Sequence, residues 1–225
     1  MTDWTADRER VRSTLANLKL RHGVGRGTEV CTIAAINLAL TGKVTDGAHP
    51  CMSPPIRRWV IRVQDAMPEE MMAPGDEHGR RWRDLVPLIV GTADVPDDHV
   101  ARVTLGWMWR ALGINWQRWV PAEAHGAWRA MLDDRTAARA TRAATACAAV
   151  GANAAAFAAA TACARNAATT ATTAVHAAYA AYAAYAAYAD AHARARADNA
   201  DNADNDYWRK ADPAACLAQL VGVAS

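Results

Sequence analysis

The feature that most constrains how this chain folds is an alanine-rich tract without proline, which extends from Ala137 to Ala203. More than half of its residues are alanine, the residue with the highest intrinsic helix propensity. The weak points inside the tract are Gly151 with Asn153 and a threonine cluster at positions 169–173. The tract therefore predicts two or three long helices with breaks near those places.

Four tyrosines in this tract recur every three residues, at Tyr179, Tyr182, Tyr185 and Tyr188. They wind around a helix instead of lining one face, because three residues fall about 60° short of a full turn. Alanine side chains bury little area, so a helix of this composition needs neighbouring helices to be stable. We therefore expect a bundle or hairpin of helices, and association of several copies of the chain into a homo-oligomer.

Residues 1–135 have the apolar periodicity and the helix-ending residues of an ordinary helical domain. The pattern predicts a helix from Thr5 to about Leu20, an apolar central helix from Thr28 to Gly42, and a third helix capped by Ser53. Two further helices are predicted in the segments RRWRDLVPLIVG and DDHVARVTLGWMWRALG. No segment alternates apolar and polar residues as a half-buried strand does, so the predicted fold class is all-α.

The triplets ADNADNADN follow at positions 197–205. Because Asp and Asn side chains compete for backbone hydrogen bonds, the triplets predict the end of the last long alanine-rich helix, or rod. Asp212 and Pro213 then predict the cap and first turn of a short C-terminal helix that docks on the core. The predicted division is a compact helical domain at 1–135, alanine-rich rods at 136–206 and a docking helix at 207–225.

Charge and composition exclude several classes of function. The chain has 25 basic and 23 acidic residues, and neither sign is concentrated in one region. A dedicated nucleic-acid or membrane-surface binder would show a basic face or tail. The longest low-charge stretch, at 143–164, is too rich in alanine to span a membrane. The charged first residues predict no secretory signal, so we expect a cytoplasmic protein without nucleic-acid or membrane partners.

Five tryptophans lie close together in the sequence: Trp107, Trp109, Trp116, Trp119 and Trp128. Large aromatic side chains dominate protein cores, so the first interpretation is an aromatic core. The alternative is a wall of rings on which a ligand stacks.

The cysteines and acidic clusters give no strong catalytic or metal signature. The five cysteines lack a Cys-x-x-Cys spacing, which in a cytosolic chain favours small buried hydrophobic side chains over disulfides. His49 and Cys51 resemble a base beside a thiol, but side chains this close in a loop rarely face each other. Asp97, Asp98 and His99 are better explained as a helix start than as a metal site. We therefore predict no catalytic residue, no metal and no cofactor.

A glycine-rich turn is the first candidate binding element. Gly25, Arg26, Gly27 and Thr28 precede the predicted central helix, and backbone N–H groups at a helix start can hold a phosphate. The dinucleotide fingerprint is not met, because no strand is predicted before the turn and the glycine spacing differs. The alternative is an interhelical turn with a capping threonine, and Glu29 would oppose an anion there.

Arginines interleaved with tryptophan form the second candidate element. Arg58 and Arg62 lie on the predicted third helix, and guanidinium groups bind phosphates well. If the glycine turn and this helix form one pocket, Arg26 and Thr28 would bond phosphate oxygens, and Trp109 would stack on a base. The alternative is a solvated helix face whose arginine stems cover apolar surface.

The chain resembles a family of alanine-rich helical proteins of bacteriophages and prophages. The resemblance covers nearly the full length and is carried by GRGTEVCTIAAINLALTGKVTDG, CMSPPIRRWVIRVQDAMP, WMWRALG and YWRKADPAACLAQLV. It implies a host-cell cytoplasmic setting and transfers no catalytic residues. By analogy with small accessory phage proteins that trap nucleotide-derived alarm signals, it suggests a role against host defence.

Together these observations predict a non-enzymatic protein that binds a small anionic, nucleotide-like molecule. The rival hypothesis is a structural or protein-partner-binding module assembled through the alanine rods. An enzyme of another class is the third.

Overall fold

The computed structural model describes residues 2–118, 120–151 and 201–223. Within these ranges the fold is predominantly helical, as predicted. The α-helices, in chain order, are α1 (Thr5–Leu15), α2 (Thr32–Thr41), α3 (Pro54–Gln64), α4 (Glu77–Leu85), α5 (Asp97–Gly113), α6 (His125–Asp134), α7 (Ala137–Ala149), α8 (Asp201–Ala211) and α9 (Pro213–Leu220). Short 3₁₀ turns lie at Glu69–Met72, Val86–Ile89, Trp116–Arg118 and Ala122–Ala124.

The chain forms two compact units. The first consists of residues 1–103 and 212–225, and the second of residues 104–211. Most of the alanine-rich tract, with its four tyrosines, lies outside the described residues, and so do Trp119 and Cys163. The predicted division at residues 135 and 206 and the predicted bundle therefore stay predictions.

Helix α2 is the centre of the first unit. Its first six residues are all buried, as expected for a segment with almost no polar side chains, and α1 and α3 pack against it. Gly42 ends the helix in the left-handed conformation, and its N–H donates to the Leu38 carbonyl at 2.9 Å. The predicted start at Thr28 is wrong, because α2 begins at Thr32 after a cap from the Cys31 sulfur.

A small sheet lies where only helix and turn were predicted. Strand β1 (Lys19–Leu20) pairs in parallel with β3 (Glu29–Val30), and β3 pairs antiparallel with β2 (Gly25–Arg26). Over the described residues, the all-α expectation is therefore corrected to a predominantly helical fold that includes a three-stranded sheet. Strands of two residues are too short to show an alternating pattern, which explains why the periodicity gave no sign of them.

The third helix largely follows the sequence prediction. Pro54 and Pro55 form its first turn, and the predicted apolar stripe is buried: Ile56, Trp59, Val60, Val63 and Met67. Ser53 occupies the N-cap position but makes no side-chain cap bond. The two prolines lack N–H groups, so the first turn offers few donors to the serine.

The C-terminal helix docks within the first unit. Helix α9 packs against α3 and α4, and the Asp212 carboxylate accepts from the Ala215 N–H at 3.1 Å, as its capping pattern predicted. The segment RRWRDLVPLIVG is not one helix, because α4 ends at Leu85 and a 3₁₀ turn follows. Pro87 lacks the N–H that a continuous helix would use there.

The second unit shows how an alanine-rich helix packs. Helices α6 and α7 lie together, and α7 presents Ala140, Ala143 and Cys147 to a cluster that includes Trp128 and Met131 of α6. Burial raises the pKa of the Cys147 thiol to about 11, so that it is a neutral, small side chain. Small residues on one helix thus accommodate large ones on its neighbour.

The prediction that the ADN triplets end the rod is wrong for residues 201–205, which are helical in α8. Asp and Asn cost less than about 1 kcal/mol each in a helix. Burial of Tyr207, Trp208 and Ala211 outweighs that cost, and the Trp107 indole N–H donates to the Ala211 carbonyl at 2.7 Å.

Candidate functional site

The glycine-rich segment is a β-hairpin. Arg26 of β2 pairs with Glu29 of β3, so Gly27 and Thr28 form a two-residue turn at its tip. Gly27 has a φ of +60°, which is typical of the first position of a type II′ turn. Gly25 has a φ of +83°, and a Cβ there would clash with the Glu29 carbonyl oxygen. These glycines are required by the hairpin itself.

Thr28 does not lie at a helix start, so the expected phosphate cradle lacks its helix dipole. Charge at the hairpin also opposes an anion. Glu29 is held by Arg21 at 2.6 Å and by Lys19 at 3.3 Å. The Arg21 guanidinium, and after it the Lys19 ammonium, keep the pKa of Glu29 below its ordinary value. Two of the local cations are therefore already engaged by a carboxylate.

The structure does bring the glycine segment against α3, at the C-terminal end of that helix. The Gly23 N–H donates to the Asp65 carboxylate at 2.9 Å, and the Gln64 side chain donates to the Arg21 carbonyl at 2.8 Å. His22 Nε2 lies 2.7 Å from the Met67 carbonyl, which can only accept, so this nitrogen carries the proton. These three bonds fix the hairpin on the helix.

Arg58 and Arg62 lie one turn apart on the face of α3 opposite its buried stripe. Arg62 is exposed and Arg58 is half-buried. The Arg58 Nε atom is buried and has no hydrogen-bond partner among the described residues. Two guanidinium groups at this spacing present a cationic surface.

Trp109 belongs to the other compact unit, and its side chain is only 4% exposed. The Arg135 guanidinium lies 6.0 Å from the centre of its ring. Trp107, Trp116 and Trp128 are buried as well, which favours the aromatic-core interpretation over a stacking wall. Trp109 therefore presents no open ring face to a ligand.

A contact that the sequence interpretation rejected is present at the His-Pro-Cys turn. His49 Nδ1 lies 2.9 Å from the Cys51 sulfur and 3.3 Å from the Cys51 backbone N–H. Because the N–H can only donate, Nδ1 accepts, and the thiol proton points at the same nitrogen. The compact turn at Pro50 makes the contact, which its sequence spacing alone did not suggest.

The His49–Cys51 pair does not have the properties of an activated nucleophile. Cys51 is only 1% exposed, and burial raises the pKa of its thiol. A thiolate is the reactive form of cysteine, and a substrate needs access to it. The pair is therefore a neutral thiol–imidazole hydrogen bond that closes the turn.

In the described ranges, no three His, Cys, Asp or Glu side chains group as a metal site requires. The helices of those ranges are also too short or too polar to cross a membrane. Comparison with protein-family models, with curated proteins and with solved structures finds no match.

Proposed function

We propose that this chain is a non-enzymatic binding protein for a small anionic molecule, and that Arg58 and Arg62 of α3 bind its anionic group. The observation that supports the proposal is their spacing on one helix face, together with the unsatisfied Arg58 Nε. Like charges at this spacing destabilise a helix by about 0.2–0.5 kcal/mol. A bound phosphate relieves that repulsion, and its oxygens accept hydrogen bonds from both guanidinium groups.

The ligand class follows from the donors and from the setting. Paired guanidinium groups favour a phosphate over a single carboxylate, because phosphate offers three oxygens to several N–H donors. In the phage setting that the resemblance implies, a nucleotide-like host signal is the ligand that we propose, and its capture would counter host defence. The hairpin adds the Arg26 guanidinium, but Glu29, which pairs with Arg26 beside the turn, opposes an anion there.

We expect Arg58→Gln and Arg62→Gln each to weaken binding by about tenfold to a hundredfold, the range for a hydrogen bond to a charged group. Arg58→Lys keeps the positive charge and loses the planar set of guanidinium donors, so it should weaken binding less than Arg58→Gln. Calorimetric titration with inorganic phosphate, ADP-ribose and cyclic nucleotides measures the effect.

The matched control is Arg10→Gln, which removes an exposed arginine from α1, far from α3 in sequence. It should bind like the unaltered protein. If the unaltered protein binds none of these anions, the proposal fails. If it binds them and both α3 variants bind equally well, the ligand site lies elsewhere.

The second candidate function is a partner-binding or self-assembling helical module, and the packing of α6 and α7 favours it. There an alanine-rich helix is stable because it receives large side chains from a neighbour. The rest of the tract has the same composition, so it has the same requirement for a neighbouring helix.

Under this hypothesis, the chain should be a dimer or a larger homo-oligomer at micromolar concentration. Light scattering coupled to size-exclusion chromatography measures the mass directly. A mass of about one chain, 24.1 kDa, with full helicity by circular dichroism would show that the tract is satisfied within one molecule. That result would leave the anion-binding proposal standing, so the two functions are tested separately.

A further inference from the structure

Helix α9 is attached to the first unit by polar contacts at both of its ends. At its start, the Arg81 guanidinium of α4 lies 3.1 Å from the Asp212 carboxylate. At its other end, His99 Nε2 of α5 lies 3.1 Å from the Gln219 carbonyl. We call these two contacts the C-terminal latch.

His78 is buried one turn before Arg81, on the same face of α4, and is 4% exposed. Its ring stacks on Trp82 with the ring centres 6.1 Å apart. Nδ1 lies 3.4 Å from the Met71 carbonyl, whereas Nε2 has no hydrogen-bond partner among the described residues. The neutral ring fits this position, but a second N–H on Nε2 would be buried without an acceptor.

The charged groups around His78 are Arg81 of α4 and the N-cap carboxylates of α4 and α9. The Asp212 and Asp76 carboxylates attract an imidazolium, and Arg81 repels it. The 3₁₀ turn at Glu69–Met72 contributes the Met71 carbonyl. Burial is the largest effect and lowers the pKa of His78 below its ordinary value of 6.5.

We propose that His78 is an acid-sensitive release for the C-terminal helix: protonation of its imidazole loosens the docking of α9 on α4. The proton charges a buried side chain whose Nε2 has no hydrogen-bond acceptor among the described residues. Asp212 is the carboxylate that most strongly attracts the imidazolium, but it already binds Arg81 and caps α9. Turning Asp212 toward His78 would therefore weaken the latch and the cap together.

The sign follows from proton linkage. With α9 released, His78 regains its ordinary pKa and binds more protons than in the docked state. Docking is therefore strongest above pH 6.5 and weakens as the pH falls below that value. The opening constant of α9 should rise by up to about tenfold per pH unit in that range.

Hydrogen exchange of the full chain tests this proposal. The opening constant of peptides that cover α9 is measured from about pH 7.5 to about pH 5, because this range brackets the ordinary histidine pKa of about 6.5. The exchange rates are first corrected for the intrinsic pH dependence of amide exchange. The unaltered protein should show the acid step, and His78→Gln should remove it. His99→Gln is the matched control, because it removes the histidine that bonds to the Gln219 carbonyl of α9 and should keep the step.

A second pair of variants leaves residue 78 unchanged, in case His78→Gln does not fold. Arg81→Gln removes the repelling cation, which brings the docked pKa of His78 closer to its ordinary value, so the acid step should be smaller and should level off at a higher pH. Its neighbour Arg80, which is exposed and donates to the Gly75 carbonyl, supplies the control Arg80→Gln, which should leave the size and the end of the step unchanged. The proposal is overturned if His78→Gln keeps the step, if His99→Gln loses it, or if the step levels off at the same pH in Arg81→Gln and Arg80→Gln.

Discussion

Replacing Trp82 by Ala should destabilise the first unit by about 3–5 kcal/mol, the cost of removing a fully buried tryptophan. Trp82 of α4 is completely buried, and its ring centre lies 6.2 Å from that of Trp59 on α3. Its indole N–H donates to the Thr32 hydroxyl at the start of α2, at 2.9 Å. The Trp82 side chain therefore connects α4 with both α2 and α3. Denaturant unfolding monitored by circular dichroism measures the loss of stability.

Two smaller substitutions distinguish the contribution of the Trp82 ring to stability from that of its hydrogen bond. Trp82→Phe keeps most of the apolar volume and removes the N–H, while Thr32→Val removes the acceptor without changing the shape. The single changes and the double variant form a cycle whose coupling should be about 0.5–1.5 kcal/mol. A Trp82→Ala effect below about 1 kcal/mol would mean that the site collapses without a cavity, contrary to the packing described for it.

The sequence predicted helices best where the pattern and the end signals agree. The segment from Asp97 to Gly113 and the helix after Pro213 are both found as predicted, with acidic residues in the first turn of one and a carboxylate cap on the other. The start of α2 was placed four residues too early, at Thr28 instead of Thr32. A threonine is a good cap on local grounds, but pairing of β3 with both β1 and β2 holds Glu29 and Val30 extended.

The candidate site was less predictable, because it depends on which chain segments meet. Composition identified Arg58 and Arg62, and helix periodicity placed both on one face of α3. Nothing local indicated that Thr28 would turn a hairpin, or that Arg135 would cover the ring of Trp109. The His49–Cys51 contact was missed for a similar reason, since a proline between the two residues sets the turn that brings them together.

The alanine-rich helix gives the second large expected effect, through its neighbour in the second unit. Replacing Trp128 by Ala should destabilise this unit by about 3–5 kcal/mol, because the side chain is fully buried in the cluster that joins α6 and α7. The alanines of α7 cannot fill the resulting space. Protection of the α6 and α7 amides from hydrogen exchange should fall with global stability, whereas Arg129→Ala, which removes the exposed next residue, should leave it within about 0.5 kcal/mol.

A complementary substitution tests the alanine residues that α7 contributes to the same interface. Ala143 is fully buried and Ala148 is exposed on the same helix, so Leu at these positions has opposite expected effects. Ala143→Leu should cost about 1–3 kcal/mol through overpacking, and Ala148→Leu should be nearly neutral. Equal effects at both positions would show that α7 does not depend on close approach to α6. In that case its alanines would act through helix propensity alone, and the argument that the remaining tract needs a neighbouring helix would lose its structural basis.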